Sequence, residues 1–236
     1  MSGLKRIIAH WSVTNYEFND LSAEHYHFMV NGRGEVRSGD HKPEANIKPE
    51  KGNYAAHTLN CNTGSIGIAC MAMAGAKSVT NYGHYPILEV QFEAMCKKIA
   101  ELCVKYKIAV SPTTVLSHAE VQTNLGIKQR GKWDIAVLPY AQLTTAKDCG
   151  DHMRRRVRAY MAGAKPADAK EPAKAVNPAT MPKPAPVTPA APRVAVVGFG
   201  AAIAVTVAGL FWSAACIMPQ WFIEWAGYAA KCTGVQ

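Results

Sequence analysis

The 236-residue sequence predicts an α/β domain, followed by a Pro/Ala-rich linker and a single transmembrane helix. Three observations predict this arrangement. Short apolar runs with strand character accompany one long segment of helical periodicity, a proline-rich stretch covers residues 164–193, and an uncharged run of 25 residues covers 194–218. Apolar residues make up 49% of the chain and charged residues 18%, a composition that supports a packed core and argues against a disordered protein.

The predicted elements of the domain follow one another through its first 120 residues. A hairpin is indicated where two strand-like runs flank Asn31-Gly32-Arg33-Gly34, because such a loop supplies the left-handed turn residues that a hairpin needs. The long helix is predicted by apolar positions that recur every three or four residues. In chain order the elements are a strand at Arg6–His10, the hairpin strands Tyr26–Val30 and Glu35–Arg37, a buried strand within Ser65–Met73, the helix within Pro86–Tyr106, and a short strand at Thr114–Ser117.

The C-terminal third is predicted to lead into a membrane. Proline fixes φ and removes a hydrogen-bond donor, so 164–193 is expected to be an extended, semi-rigid linker. As a helix, the uncharged run 194–218 would measure roughly 37 Å, which exceeds a hydrocarbon core of about 30 Å. A buried core helix is the alternative for this run. Trp221, Trp225 and Tyr228, in the short tail 219–236, could serve as interfacial anchors.

The charge distribution predicts an orientation and argues against nucleic-acid binding. Residues 1–146 carry 15 basic and 12 acidic side chains, too balanced for a nucleic-acid-binding face. Residues 147–193 carry 10 basic and 4 acidic side chains, and the positive-inside rule places this side of the membrane run in the cytoplasm. Within it, residues 147–163 are expected to form a basic helix or juxtamembrane segment, whose Arg154–Arg158 cluster either contacts anionic lipid or is solvated.

No N-terminal export signal is apparent, because the apolar run that follows Arg6 breaks at His10. The seven cysteines are odd in number and contain no CxxC, which favours free thiols in a reducing compartment. We therefore expect a membrane-anchored protein whose folded domain lies in the cytoplasm.

Two histidines and one aspartate are candidate metal ligands. His10 and His118 each follow an apolar, strand-like run, so each could project from a sheet edge into a cleft. Asp134 follows a glycine-containing turn and Lys132; it could complete a zinc site or form a surface ion pair. Imidazole and carboxylate groups are ordinary zinc ligands, and catalytic zinc sites use three of them.

Four blocks of the sequence resemble the zinc-dependent N-acetylmuramoyl-L-alanine amidases of the peptidoglycan-recognition-protein and phage endolysin type. In order, the blocks are IIAHWS, HYHFMVNGRGEVRSG, AAHTLNCNTGSIGIA and SHAEV…KQRGKWD, and they span about residues 5 to 140. The resemblance implies a mixed central β-sheet flanked by helices with a zinc groove. It implies an amidase catalytic domain over 1–146, with peptidoglycan as the substrate.

The resemblance also implies roles for six residues. The zinc ligands match His10, His118 and Asp134, while the catalytic pair of the family matches Tyr26 and Lys132. His57 matches a histidine near the family's groove, where it is expected to bind substrate or to stand behind the ligands; a purely structural role stays open.

Two departures from the family pattern matter. Only 15 residues separate His10 from Tyr26, too few for the long helix that many members carry there, so one groove wall is expected to be lower. The glutamate that some members place in the strand matching SIGIACM is absent, since Ala69-Cys70-Met71 stands there. Catalysis would then depend on zinc, Tyr26 and Lys132.

The expected function is zinc-dependent hydrolysis of the bond between N-acetylmuramic acid and L-alanine, by a membrane-associated, endolysin-like enzyme that waits inside until it can reach the wall. The rival hypothesis is a non-catalytic peptidoglycan-recognition module anchored to a membrane. A pore-forming role of the 194–218 run is a minor alternative. The sequence leaves the oligomeric state and the preferred stem peptide open.

Overall fold

A five-stranded mixed sheet forms the centre of the domain. The computed structural model describes residues 3–163. The strands are β1 (Arg6–Trp11), β2 (Phe28–Val30), β3 (Val36–Ser38), β4 (Ser65–Cys70) and β5 (Val115–Ser117), in the spatial order β3-β2-β4-β1-β5. All neighbouring pairs are parallel except β2 with β3. The predicted fold class of the domain is therefore confirmed, including the hairpin, in which Val30 pairs with Val36.

Within residues 3–163, four α-helices flank the sheet. They are α1 (Asp20–His25), α2 (Glu89–Tyr106), α3 (His118–Leu125) and α4 (Ala146–Met161), accompanied by short 3₁₀ turns at Pro43–Asn46 and Pro139–Ala141. The predicted helix begins at Glu89 rather than Pro86, because Leu88 keeps an extended backbone and caps it. Between His10 and Tyr26 the chain forms only the six-residue α1, in line with the expectation that no long helix fits there.

The two faces of the sheet pack against different parts of the domain. Successive side chains of a strand point to opposite faces, so Ile7 and Ala9 join the main core, where they pack with residues of α2 and α4. Ile8 and His10 lie on the other face, where Ile8 packs with Leu116 of β5 and Val121 of α3. The candidate ligand His10 is therefore on the face opposite α2.

The basic segment 147–163 is largely helix α4, and this helix is part of the domain. Its Cys149, Met153 and Val157 are buried in the main core. The compact fold therefore continues past residue 146, and a boundary at that position would remove one wall of the core.

The arginines of α4 do not form the freely solvated or lipid-facing cluster that the sequence suggested. Arg154 is 3% exposed and is paired with Glu120 at 2.9 Å, and Arg156 binds Glu93 at 2.7 Å. Arg158 donates a hydrogen bond to the carbonyl of Val110. At least three of these side chains therefore bind groups of the domain itself.

The predicted linker 164–193, the predicted transmembrane helix 194–218 and the tail 219–236 lie outside the described residues. Within residues 3–163, no helix combines the length and the apolar character that a membrane span needs.

The buried Glu120–Arg154 pair gives a first prediction. Replacing Arg154 by Met leaves an uncompensated carboxylate, so the free energy of unfolding should fall by about 3–5 kcal/mol. Lys147 pairs with Asp151 on the surface of the same helix, so Lys147→Met should change it by less than about 1 kcal/mol. Urea unfolding followed by circular dichroism measures both. Similar losses in the two variants would contradict the anchoring role of the buried pair.

Candidate metal centre

Three side chains that are distant in sequence converge at one buried point. Asp134 Oδ2 lies 2.8 Å from His10 Nδ1 and 3.2 Å from His118 Nδ1. One potential ligand atom from each of the three side chains lies within 4.8 Å of the other two. His10 and His118 are almost completely buried, and the Asp134 side chain is 10% exposed. The structure thus brings together all three ligands that the sequence predicted.

The sheet and the turn after β5 create this convergence. His10 lies near the carboxyl end of β1, and His118 begins α3 directly after β5, the parallel neighbour of β1. Parallel strands end at a common edge, so the two imidazoles meet there, with ring centroids 4.8 Å apart. The Asp134 carbonyl accepts a hydrogen bond from the Ala119 amide at 2.6 Å, which fastens the third ligand to α3.

Gln129 fixes which nitrogen of His118 faces the centre. Its amide nitrogen donates to the carbonyls of Leu59 and Ile127, at 2.9 and 3.3 Å, so its oxygen must face the His118 ring. That oxygen lies 2.8 Å from His118 Nε2, which therefore carries a proton. In the neutral ring, His118 Nδ1 then presents a lone pair toward Asp134.

This donor arrangement fits a metal ion. A nitrogen lone pair that points at a carboxylate oxygen 3.2 Å away is repulsive unless a cation, either a proton or a metal, lies between them. Two imidazole nitrogens and a carboxylate form a donor set that zinc accepts readily. Burial lowers the pKa of His10 to about 4, so its ring is neutral and able to bind a metal at ordinary pH. Burial alone would raise the pKa of Asp134, but His118 and His10 hold it well below its usual range.

Tyr26 and Lys132 lie beside the centre. The Tyr26 ring is 5.2 Å from the His10 ring, and burial together with the Asp134 charge raises the pKa of its phenol. Lys132 is half-buried, and its pKa is lowered by burial against the opposing effect of Asp134. The charge of Asp134 therefore contributes to the pKa of both side chains.

His57 lies behind the candidate ligand His10 and not at the substrate side of the groove, which was one of the positions expected for it. Its ring is fully buried, and its Nδ1 lies 3.2 Å from His10 Nε2, on the side of His10 away from Asp134. This position behind a ligand is one of the alternatives that the sequence left open. The complete burial argues against direct contact with a substrate.

Two further side chains support the ligands, and the first of them, Gln129, escaped the sequence analysis. Gln129 sits inside the block KQRGKWD, but nothing in the sequence distinguishes it from a solvated turn residue. Glu120 is the second of these side chains. It accepts hydrogen bonds from the Ser117 amide and from Arg154, and this fixes the first turn of the helix that begins with His118.

The fold and the centre define an α/β domain with a His–His–Asp site on one face of a mixed sheet. The chain belongs to the N-acetylmuramoyl-L-alanine amidase family (Amidase_2), whose profile matches residues 3–135. The family match covers the five strands, the helices α1 to α3 and all three candidate ligands.

Several solved structures are similar to the chain. The N-acetylmuramoyl-L-alanine amidase LysC from Clostridium intestinale URNW is 14% identical, with 67% of this chain and 89% of that one covered and a TM-score of 0.39. The amidase AmiD from E. coli, solved with an anhydro-muropeptide substrate, is 15% identical over 50% and 49%, with a TM-score of 0.36. The Drosophila peptidoglycan recognition protein SD is 16% identical over 56% and 76%, with a TM-score of 0.36. No curated protein matches the chain.

A buried histidine outside the ligand set gives a prediction about pH. His27 Nδ1 accepts the Gly67 amide and Nε2 faces the Asn46 oxygen, and burial lowers its pKa from 6.5 to about 4. Between those values the unfolded chain binds the proton and the native protein does not. The free energy of unfolding of the metal-free protein should therefore fall on acidification through this range, by at most roughly 3 kcal/mol from His27.

Urea unfolding at pH 7 and pH 4.5, after treatment with a chelator, measures this effect. His27→Gln removes the titrating group, so its stability should depend less steeply on pH over the same interval. An equal slope in the variant and the wild type would contradict the assignment.

Proposed function

We propose that the protein is a zinc-dependent N-acetylmuramoyl-L-alanine amidase, which hydrolyses the amide bond between N-acetylmuramic acid and L-alanine in peptidoglycan. One observation carries the proposal: His10, His118 and Asp134, far apart in the chain, lie within 4.8 Å of one another in a member of the amidase family. These residues would hold the metal, His10 and His118 through Nδ1 and Asp134 through Oδ2. Zinc, when bound, supplies a Lewis acid that activates water and polarises the carbonyl.

Lys132 would stabilise the charge that develops on the substrate. When water adds to the lactyl carbonyl carbon, its oxygen gains negative charge, and an ammonium group in a partly desolvated site stabilises that charge strongly. Lys132 is half-buried and close enough to Asp134 for the two charges to interact. This role requires the protonated, positively charged form of Lys132 at the pH of the reaction.

Tyr26 would hold a proton rather than remove one. The raised pKa of its phenol keeps the proton on Oη at neutral pH. This favours donation of a hydrogen bond, to the water, the developing oxyanion or the departing L-alanine amine, over action as a base. Some relatives carry a glutamate in the strand that matches β4. This chain has none there, and the β4 residue that pairs with His10 is Ala69.

The alternative function is a peptidoglycan-recognition module that binds muropeptides without cutting them. The complete set of three ligands, with Tyr26 and Lys132 beside it, favours the enzyme. Both hypotheses name the same partner, peptidoglycan, and they differ in whether the amide bond is broken.

Mass spectrometry of muropeptides incubated with the zinc-loaded full chain tests the proposal. We expect release of stem peptides that begin with L-alanine, and loss of this release on chelation. His118→Ala should remove both zinc and hydrolysis. Lys132→Met should keep zinc and slow hydrolysis by about 10²–10³-fold, the effect of losing one oxyanion donor. His152→Ala, on the outer helix α4, is the control that should keep both. An intact muropeptide bound to a zinc-loaded chain would favour the recognition module.

We also propose a membrane-anchored location, with the catalytic domain in the cytoplasm until the membrane is breached. The support is sequence alone: the uncharged run 194–218 and the basic residues before it. Reporter fusions at both termini in intact bacteria test this arrangement. An N-terminal reporter that is active outside the membrane would contradict it, and so would recovery of the full chain in the soluble fraction.

A further inference from the structure

We propose that His57 is a positioning residue that fixes the tautomer and the orientation of His10, so that His10 Nδ1 is aimed at the metal. This inference rests on the proposed zinc site and deepens it. It assigns to His57 a role at the ligand rather than at the substrate. Its physical basis is a directed pair of hydrogen bonds, from His57 Nε2 to the Ser65 carbonyl and from His10 Nε2 to His57 Nδ1, which leaves His10 Nδ1 unprotonated and facing Asp134.

The chain begins with the carbonyl of Ser65 in β4. His57 Nε2 lies 3.4 Å from that oxygen, a group that can only accept, so Nε2 is the protonated nitrogen. In the neutral ring, His57 Nδ1 then carries a lone pair. This nitrogen lies 2.8 Å from the Thr58 hydroxyl and 3.2 Å from His10 Nε2.

The lone pair of His57 determines the state of the next ring. His10 Nε2 can satisfy the contact only as a donor, and the Thr58 hydroxyl, 3.4 Å away, is its other polar neighbour. A proton on Nε2 leaves Nδ1 of the neutral His10 ring unprotonated, 2.8 Å from Asp134 Oδ2. A ligand whose outer nitrogen donates to an acceptor is held in one tautomer and is a stronger base toward the metal.

The fold reserves space for the His57 ring. The ring is fully buried and lies over Gly67 of β4, where a Cβ atom would come within 2.6 Å of the imidazole. Any side chain at position 67 would therefore displace the ring from His10. A glycine in the middle of a buried strand normally weakens the strand. Here the close approach of the His57 ring explains why a residue without a side chain stands at position 67.

The two histidine ligands are thus held by different acceptors. Gln129 accepts from His118 Nε2, and it is oriented by two backbone carbonyls. His57 accepts from His10 Nε2, and it is oriented by one. In both cases the acceptor is a neutral side chain, so neither Nε2 donates to a carboxylate in these two contacts.

The test is zinc affinity, measured by competition with a chromophoric chelator on the full chain. His57→Leu fills the space but accepts no hydrogen bond, and it should weaken zinc binding by about 10–100-fold. His57→Asn keeps an acceptor oxygen near the place of Nδ1 and should recover much of that loss. Nitrogen-15 NMR of the zinc-loaded wild type should show a protonated Nε2 on His10, and in His57→Leu that proton should exchange faster with water.

His27→Leu is the matched control, because it also removes a buried, hydrogen-bonded imidazole from the same side of the sheet but has no hydrogen bond to His10. It should lower the thermal stability and leave the zinc affinity unchanged. Unchanged affinity in His57→Leu would overturn the inference, as would equal weakening in His27→Leu or a His57→Asn variant as weak as His57→Leu. None of these readouts uses hydrolysis. An inactive wild type that binds zinc would therefore contradict the proposed activity and leave the positioning role of His57 unaffected.

Discussion

Electrostatic repulsion among the donor atoms is the constraint on which the centre depends. Two imidazole nitrogens and a carboxylate oxygen face one another at hydrogen-bonding distance, and at least one of the contacts, between His118 and Asp134, lacks a proton in the neutral state. Only a rigid frame can hold such groups together before a cation arrives. The parallel strands β1 and β5 supply that frame, together with the backbone hydrogen bond from the Ala119 amide to the Asp134 carbonyl. Backbone geometry therefore holds the three candidate ligands in place.

The outer helix α4 contributes to the same frame from the opposite side of the sheet. Arg154 binds Glu120 of α3 and the carbonyl of Val115, the first residue of β5. Glu120 in turn accepts from the Ser117 amide, one residue before His118. A helix without any candidate ligand is in this way tied to the turn that carries one. The family profile ends at residue 135, so this support comes from the part of the fold beyond it.

Local patterns made much of the fold and the ligand set predictable. His10 and His118 follow apolar runs, Asp134 follows a glycine-containing turn, and the matching blocks added Tyr26 and a catalytic role for Lys132. Helix α4 also had a signal, because Cys149, Met153 and Val157 recur every four residues, but its arginines dominated the interpretation as a juxtamembrane segment. The supporting contacts of Gln129 and His57 had no such signal. They join residues about 70 and 47 positions apart in the chain, and only the folded sheet brings those pairs together.

Gly150 shows how closely these parts are fitted. It lies within α4, where glycine disfavours a helix, and replacement by alanine is a standard route to a more heat-resistant enzyme. Here the added methyl group would overlap the Glu120 carboxylate, which cannot swing aside while Arg154 and Ser117 hold it. Substitutions intended to raise the thermal stability of this domain should therefore avoid Gly150 and use exposed sites on the outer surface of α4.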